Sequence, residues 1–528
     1  MNNSTKEKSF VDLSREIADK FIRDIVFIDE QAYPEKSNNT VEANVHNNEF
    51  DTKAVSDAFL KKGKICAIYA PQTEKDVDES VVSLLKADVV VLDWDLKLKG
   101  TSNYDPMADD ESEKRGQYTK PLIKRLVDDS GKEKVKLIII YTGETDVEKI
   151  AEDIHEYIQN KEYVLNNSAL CVQNTNLKII VRAKEGTKVV ERHKDKIIRY
   201  NKLPELITEE FTTITNGILP NYALSAITAI RNNTSNILGV FSKDIDPAFL
   251  GHYVSISDCD DAIIMLSEIF GSAITDLIDS SNFDIKTWID TWLIQKFKKT
   301  FETTIGNNTI KVSGKNLKNI VNSSESDFRT KLKKEYCNIK GNEDDLKKDA
   351  TRLFRIRGKK PNYKLARLIQ HSNLFLPAKA PKLTTGTIVK YKRANCWKFL
   401  LCIQQSCDSV RIGIDGKEKK RIFLFLPLLI KGKGEVVVVE ENKHLFVADK
   451  SYSIELHEFS PREKSDAQIL AVSQNSQYVF TDTKKEQFIW VAELKKMFAQ
   501  HIVSAYASKL SRVGVDNSEW IRLVGKRK

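Results

Sequence analysis

Three wholly apolar runs, each closed by a polar residue, constrain this chain more than any other feature. They are Ile25-Val26-Phe27-Ile28 before Asp29-Glu30, Val89-Val90-Val91-Leu92 before Asp93-Trp94-Asp95, and Leu137-Ile138-Ile139-Ile140-Tyr141 before Thr142-Gly143. Runs this short and this rich in Val and Ile read as strands buried on both faces of a parallel sheet. Helical patterns fall between them at Val55 to Lys62, Val77 to Lys86 and Lys120 to Asp128, and Lys64 to Ala70 reads as a further strand. Strands alternating with helices predict a doubly wound α/β domain. Ile179 to Lys184 is its expected last strand, ending in a lysine.

In open α/β sheets, ligands bind beyond the carboxyl ends of the strands. Two strands that end in carboxylates and a third that ends in a hydroxyl therefore converge on a small acidic pocket. Such a pocket suits a divalent cation and a phosphoryl group. A carboxylate can attack phosphorus and form an aspartyl phosphate. The attack brings negative charges together, so a cation must offset them. Mg²⁺ takes oxygen ligands and uses one or two carboxylates from the protein. Asp29 and Asp93 are the expected donors, with Glu30 assisting.

Composition sets the outer bounds. A chain of 528 residues is too long for one ordinary core, and three domains are expected. The boundaries read as 1–200 for the α/β domain, 201–380 for a mainly helical region and 381–528 for a small β-barrel or rolled sheet with a terminal helix. A hydrophobic content of 41% with 30% charged residues describes a globular protein. The net charge of +9 is modest for this length and does not by itself indicate nucleic-acid binding, and nucleic acid is not an expected partner. Seven scattered cysteines suit a reducing cytoplasm rather than a disulfide framework. The start of the chain lacks an apolar signal core, and Ile422 to Ile430 is too short to span a bilayer and contains Pro427, so no membrane segment is expected.

Beyond residue 203 the period is helical at Pro204 to Gly217, Tyr222 to Val240, Asp261 to Ile278 and Lys286 to Phe301. The last of these places Trp288, Trp292, Ile294 and Phe297 on one face. Lys331 to Lys360 is rich in lysine and arginine but mixes signs, which describes solvated helix faces. From Thr384 the period becomes two. Thr387 to Tyr391, Trp397 to Ile403, Val410 to Ile414, Arg421 to Leu426 and Glu435 to Glu440 read as short strands, with Asp415-Gly416 as a hairpin signal. Gln487 to Ser511 reads as one long amphipathic helix packed on that sheet. No nucleophile–base pair, Gly-rich phosphate loop or HExxH motif occurs after residue 200.

The first 200 residues resemble the receiver domain of bacterial two-component response regulators. The resemblance rests on Asp29 and Glu30 as the acidic pair after the first strand, Asp93 after the third, Thr142 after the fourth and Lys184 after the fifth. It implies that Asp93 is the phosphoacceptor and that Asp29, Glu30 and Asp93 hold Mg²⁺, with the backbone carbonyl of Asp95 as a further ligand. It implies that Thr142 bonds a phosphoryl oxygen and that Lys184 pairs with the phosphoryl charge. A sensor histidine kinase is the implied donor, and the chain is not expected to be an enzyme. The departures are specific. All three spacings are long, Glu185 stands where the family has Pro, and Val181 stands where it has an aromatic switch residue. A large receiver protein with no recognisable output also resembles the buffer-type receiver of the Detocs phage-defence systems, which draws phosphoryl groups away from a second, receiver-bearing effector.

Two other readings fit parts of the chain. Asp93-Trp94-Asp95 resembles the Asp-x-Asp of haloacid-dehalogenase-like phosphatases, although there that strand comes first and here the Asp29 strand precedes it. The Lys331 to Lys360 stretch would suit a nucleic-acid-binding regulator carrying a degenerate receiver.

Overall fold

A computed structural model describes residues 8–33, 50–98, 115–130, 134–256, 259–356, 360–370, 374–375, 380–394, 396–410, 412–413, 419–430, 436–440, 443–447, 453–462, 467–475 and 477–510. The chain forms two compact units. One comprises Met1–Glu302 with Ile310–Ile339, and the other Thr303–Thr309 with Lys340–Lys528. No helix among the described residues is long and apolar enough to cross a membrane.

The first unit is built on strands β1 (Asp24–Ile28), β2 (Ile65–Tyr69), β3 (Val89–Leu92), β4 (Lys136–Thr142) and β7 (Leu177–Lys184), which lie parallel in the order β2-β1-β3-β4-β7. The β3 run is apolar throughout because both of its faces are covered. Val89 and Val91 join one core, and Val90 and Leu92 join the other. On one face lie α3 (Glu74–Lys86), α4 (Thr119–Ser130) and α5 (Val147–Ile158), through Leu84, Leu126 and Ile154. On the other lie α1 (Phe10–Phe21), α2 (Thr52–Leu60) and α6 (Leu203–Thr215), through Ala18, Phe59 and Phe211. Capping boxes start α1 at Ser9 and α3 at Thr73, each pairing a hydroxyl with an Asp three residues on.

The chain runs from β1 outward to β2, then returns across β1 to β3. That reversal opens a crevice at the carboxyl ends of β1 and β3, the switch point where such sheets bind ligands.

The long spacings have different origins. Two correspond to segments that lie almost wholly outside the described residues, at 34–49 and 99–114. The third, between Thr142 and Lys184, is ordered. After α5 the chain adds β5 (Val164–Asn166) and β6 (Cys171–Gln173), which extend the sheet antiparallel beyond β7. Beyond Lys184, a short β8 (Ile197–Ile198) pairs parallel with the end of β7 before α6 begins.

Further helices run Ile218–Asn232, Thr234–Val240, Asp246–Ser255, Cys259–Ser280 and Ile285–Lys296. The expected helix from Tyr222 to Val240 is thus broken at Asn233. On Ile285–Lys296, Trp288 is buried but Ile294 is half exposed, so Ile294 does not share the buried face with Trp288.

The second unit contains a ten-stranded antiparallel sheet. Its main path runs Val436–Glu440, Lys443–Val447, Arg421–Leu429, Cys396–Cys402, Thr387–Arg393, Gln487–Leu494, Gln477–Thr481, Val472–Gln474, with Glu455–Phe459 beside Arg421–Leu429 and Leu374–Phe375 beside Gln487–Leu494. Among the described residues this path does not close on itself, so the sheet is open rather than a closed barrel.

The expected helix over Gln487–Ser511 is corrected. Gln487–Leu494 is a strand, and only Lys496–Leu510 is helical. Phe488, Ala492 and Leu494 are buried in this run, and pairing with strands on both sides overrides the helical pattern. The helix packs Ala499, Ile502 and Tyr506 with Ile388 and Leu401 of the sheet. The expected strand at Val410 to Ile414 is also corrected: its described residues lie in bends and turns, because Gly413 takes a φ of +78°. The Asp415-Gly416 hairpin signal lies outside the described residues.

Candidate functional site

Sheet register brings the strand ends to one level. Ile28 pairs with both Tyr69 and Leu92, so Asp29 and Asp93 leave neighbouring strands together. The Asp93 N–H donates to Ile28 O at 2.8 Å, and the Asp29 N–H to Tyr69 O at 3.1 Å. Thr142 pairs with Ala183, one residue before Lys184.

Lys184 is the centre of the cluster. Its Nζ donates to Asp29 Oδ2 at 2.7 Å and to Asp93 Oδ2 at 2.6 Å. Asp29, Asp93, Thr142 and Lys184 are all buried. The other carboxylate oxygens are oriented by backbone: Asp29 Oδ1 accepts from Gln31 N–H at 2.9 Å, and Asp93 Oδ1 from Trp94 N–H at 2.6 Å. Thr119 Oγ1 donates to the Asp93 carbonyl at 2.9 Å and ties the loop to α4. Phe50 covers the ammonium, its ring centroid 5.8 Å from Lys184 Nζ. Tyr200 stacks edge-on against both Phe50 and Tyr141 behind it.

Glu30 completes an acidic group. Carboxylate oxygens of Asp29, Glu30 and Asp93 lie within 4.8 Å of one another. Glu30 Oε2 is buried and has no hydrogen-bond partner. An unmet buried carboxylate oxygen is costly unless something fills its place. Burial, with Asp93 and Asp29 close by, pushes the Glu30 carboxyl up to about 8. Burial also raises Asp93, to about 6; Lys184 opposes the rise and Asp29 adds to it. Burial alone would lower Lys184, but Asp93 and Asp29 outweigh it and hold the ammonium above its ordinary range. The cluster therefore carries more negative than positive charge when its carboxylates are ionised. Its three carboxylates, Glu30 with its orphaned oxygen among them, offer hard donors that fit a small divalent cation such as Mg²⁺.

Thr142 ends its strand paired with Ala183, next to Lys184, and its Oγ1 accepts from Glu144 N–H at 3.1 Å. Asp95 is half-buried, two residues past Asp93, and its side chain is not part of the carboxylate group. Trp94 is buried beside the site, against Gly116. At Gly116 φ is +74°, and an added Cβ would come within 2.5 Å of the Trp94 ring, so this position requires glycine.

Phe50, Thr119 and Tyr200 were not legible as site residues. No motif or spacing marks them, and only the fold brings them to the strand ends.

Residues 21–189 match the sequence family described as the response receiver domain. A search of curated proteins gave no match, and neither did a search of solved structures. The α/β domain is a divergent response receiver domain of the kind that serves two-component response regulators.

Proposed function

We propose that the receiver domain accepts a phosphoryl group on Asp93, with Mg²⁺ held by Asp29, Glu30 and Asp93. The observation that supports this most is the Lys184 ammonium bonded at once to Asp29 and Asp93, beside the unpartnered Glu30 oxygen. In the proposed transfer, an Asp93 oxygen attacks phosphorus of a phosphohistidine. The new O–P bond forms as the N–P bond breaks, and the imidazole leaves with the bond electrons and takes up a proton. Asp93 in its ionised form, paired with the Lys184 ammonium, can act as the nucleophile. The cation supplies charge neutralisation at the transferring oxygens. Lys184 stands where it can exchange a carboxylate for a phosphoryl oxygen, and Thr142 where its hydroxyl can donate to another.

This role is phosphoacceptance rather than turnover. A phosphatase reading needs Asp95 to act as acid and base beside Asp93, and the Asp95 side chain stands apart from the acidic group. The partner in this proposal is a sensor histidine kinase. The exchange is placed in the cytoplasm, which suits the free thiols of the described cysteines.

The output we propose is competition. Val181, at the position of the family's aromatic switch, is buried in the core of α3, α4 and α5 and has no ring to rotate. A receiver that takes phosphoryl groups without a switch to move acts as a sink, here against a second receiver-bearing effector of the Detocs type. The test is phosphotransfer in a mixture of kinase, effector receiver and this protein. Wild type is expected to slow labelling of the effector, and Asp93→Ala is not. If Asp93→Ala silences the pathway in cells instead of raising effector activity, the protein transmits the signal and the sink reading fails. Metal binding is tested separately by Mg²⁺ titration of Trp94 fluorescence. Asp29→Asn is expected to weaken binding at least tenfold and Asp95→Asn less than twofold, because Asp95 offers only its carbonyl. Equal losses would favour the phosphatase geometry.

A further inference from the structure

The second unit holds a cluster of mixed donors that phosphoryl transfer does not use. His457 lies on the strand Glu455–Phe459, and Asp482 and Glu486 bracket the turn between Gln477–Thr481 and Gln487–Leu494. One ligand atom from each of the three lies within 4.8 Å of the others. Asp482 is buried, and its Oδ1 accepts from the N–H groups of Lys484 at 2.9 Å and Glu486 at 2.8 Å. These bonds fix the carboxylate and aim its second oxygen at the histidine.

Two features set this group apart from an ordinary ion pair. The first is the gap. His457 Nδ1 and Asp482 Oδ2 stand 3.9 Å apart, although the Asp482 side chain is only 1% exposed. A direct charge-assisted hydrogen bond would draw them to about 2.8 Å. Two donors bound to one ion at about 2.0–2.2 Å each stand farther apart than that, and the gap is close to what an interposed ion needs. The second is the support behind the ring. His457 Nε2 faces Glu455 Oε2 at 3.5 Å, and Tyr391 OH donates to that same oxygen at 2.7 Å. Proteins orient a metal-binding imidazole in this way, with a carboxylate behind the far nitrogen. Phe488 and Phe425 pack against the ring edge-on and restrict its rotation.

We propose that His457 Nδ1, Asp482 and Glu486 bind a divalent transition-metal ion of the zinc class, with Glu455 and Tyr391 as positioning residues. One imidazole and two carboxylates select such an ion over Mg²⁺, which favours all-oxygen sites. Glu486 is exposed, so the ion is reached from solvent and water completes its shell. The ion would pin the Asp482–Glu486 turn to the His457 strand.

The full chain, stripped of metal and then held in excess Mg²⁺ to occupy the receiver carboxylates, is titrated with Zn²⁺ against a chelating dye. Wild type is expected to take up one tight equivalent. His457→Gln should lose it, and Glu486→Gln should weaken it at least tenfold. Glu455→Gln should weaken it about tenfold through the ring alone. Asp29→Asn should leave it unchanged. Glu486 is exposed, so that variant decides the matter even if His457→Gln fails to fold. Loading with Co²⁺ checks the donors, since nitrogen and oxygen ligands give no thiolate charge-transfer band. No tight equivalent in wild type, wild-type affinity in Glu486→Gln, or a thiolate band would each overturn the proposal.

Discussion

The two ends of the receiver sheet both bury charge, and they do it differently. At the amino ends, Asp88 has both oxygens met. Arg231 donates to Oδ1 at 2.7 Å and to Oδ2 at 3.0 Å, and the N–H groups of Arg23 and Asp24 also reach Oδ2. Arg231 lies over the Phe21 ring as well. Lys136 is buried there with its Nζ on the carbonyls of Leu84, Leu85 and Ala87, closing the end of α3. Lys64 does the same for α1 through the Asp19 and Ile22 carbonyls. At the carboxyl ends, two carboxylates share one ammonium, and Glu30 beside them has an Oε2 with no partner. Saturated charge holds helices to strands. Unsaturated charge, placed at the switch point, is what a ligand can complete.

The largest expected contrast comes from removing the shared cation. Lys184→Met leaves Asp29 and Asp93 facing each other in the interior. It should cost about 3–5 kcal/mol of unfolding free energy in urea without Mg²⁺. A substantial part of the loss should return in saturating Mg²⁺, because the ion takes over the neutralisation. A loss that Mg²⁺ leaves untouched would make this end as closed as the other.

Asp88→Ala should cost less, about 2 kcal/mol, and added Mg²⁺ should not change that. Arg231 and the backbone donors of Arg23 and Asp24 lose their acceptor, but part of Arg231 can reach water. Urea unfolding of the two variants side by side, with and without Mg²⁺, tests the contrast between the ends directly.

The smallest effect is a pH dependence at Lys136. Burial lowers its ammonium to about 8 from an ordinary 10.5, with Asp88 opposing. Between those values the unfolded chain binds the proton more tightly, so stability from this group rises with pH there and is lost as pH falls through about 8. The stability of wild type relative to Lys136→Met should therefore grow between pH 7.5 and 9.5, by at most about 1.4 kcal/mol per pH unit. A gap that shrinks over this range would show that the lysine keeps its charge when buried.

The sequence carried the receiver sheet because its strands are covered on both faces, which forces unbroken runs of Val, Ile and Leu ending where the chain must turn. Asp29, Asp93 and Thr142 were legible at those ends. Asp88 and Asp93 look alike as carboxylates flanking the same run, and only topology assigns one to the structural end and the other to the switch point. Lys184 was assigned by resemblance against Glu185 and Val181, and the fold places it between the two carboxylates. The strands Val164–Asn166 and Cys171–Gln173 were missed because three residues are too few to show a period. Gln487–Leu494 was misread because a short apolar run fits both periods until its neighbours on the sheet are known. The His457 group was invisible for a related reason: an antiparallel sheet gathers residues from Tyr391, Glu455 and Asp482 that no local spacing connects.

The most direct test of the account is whether Asp93 carries the phosphoryl group. The full chain is incubated with Mg²⁺ and a small acyl phosphate, and its intact mass is followed before and after borohydride trapping of the acyl phosphate. The account predicts a gain of one phosphoryl group in wild type, mapped to the peptide containing Asp93, dependent on Mg²⁺ and absent in Asp93→Asn. A gain of the same size in Asp93→Asn, or none in wild type under conditions where Mg²⁺ is seen to bind, would contradict it.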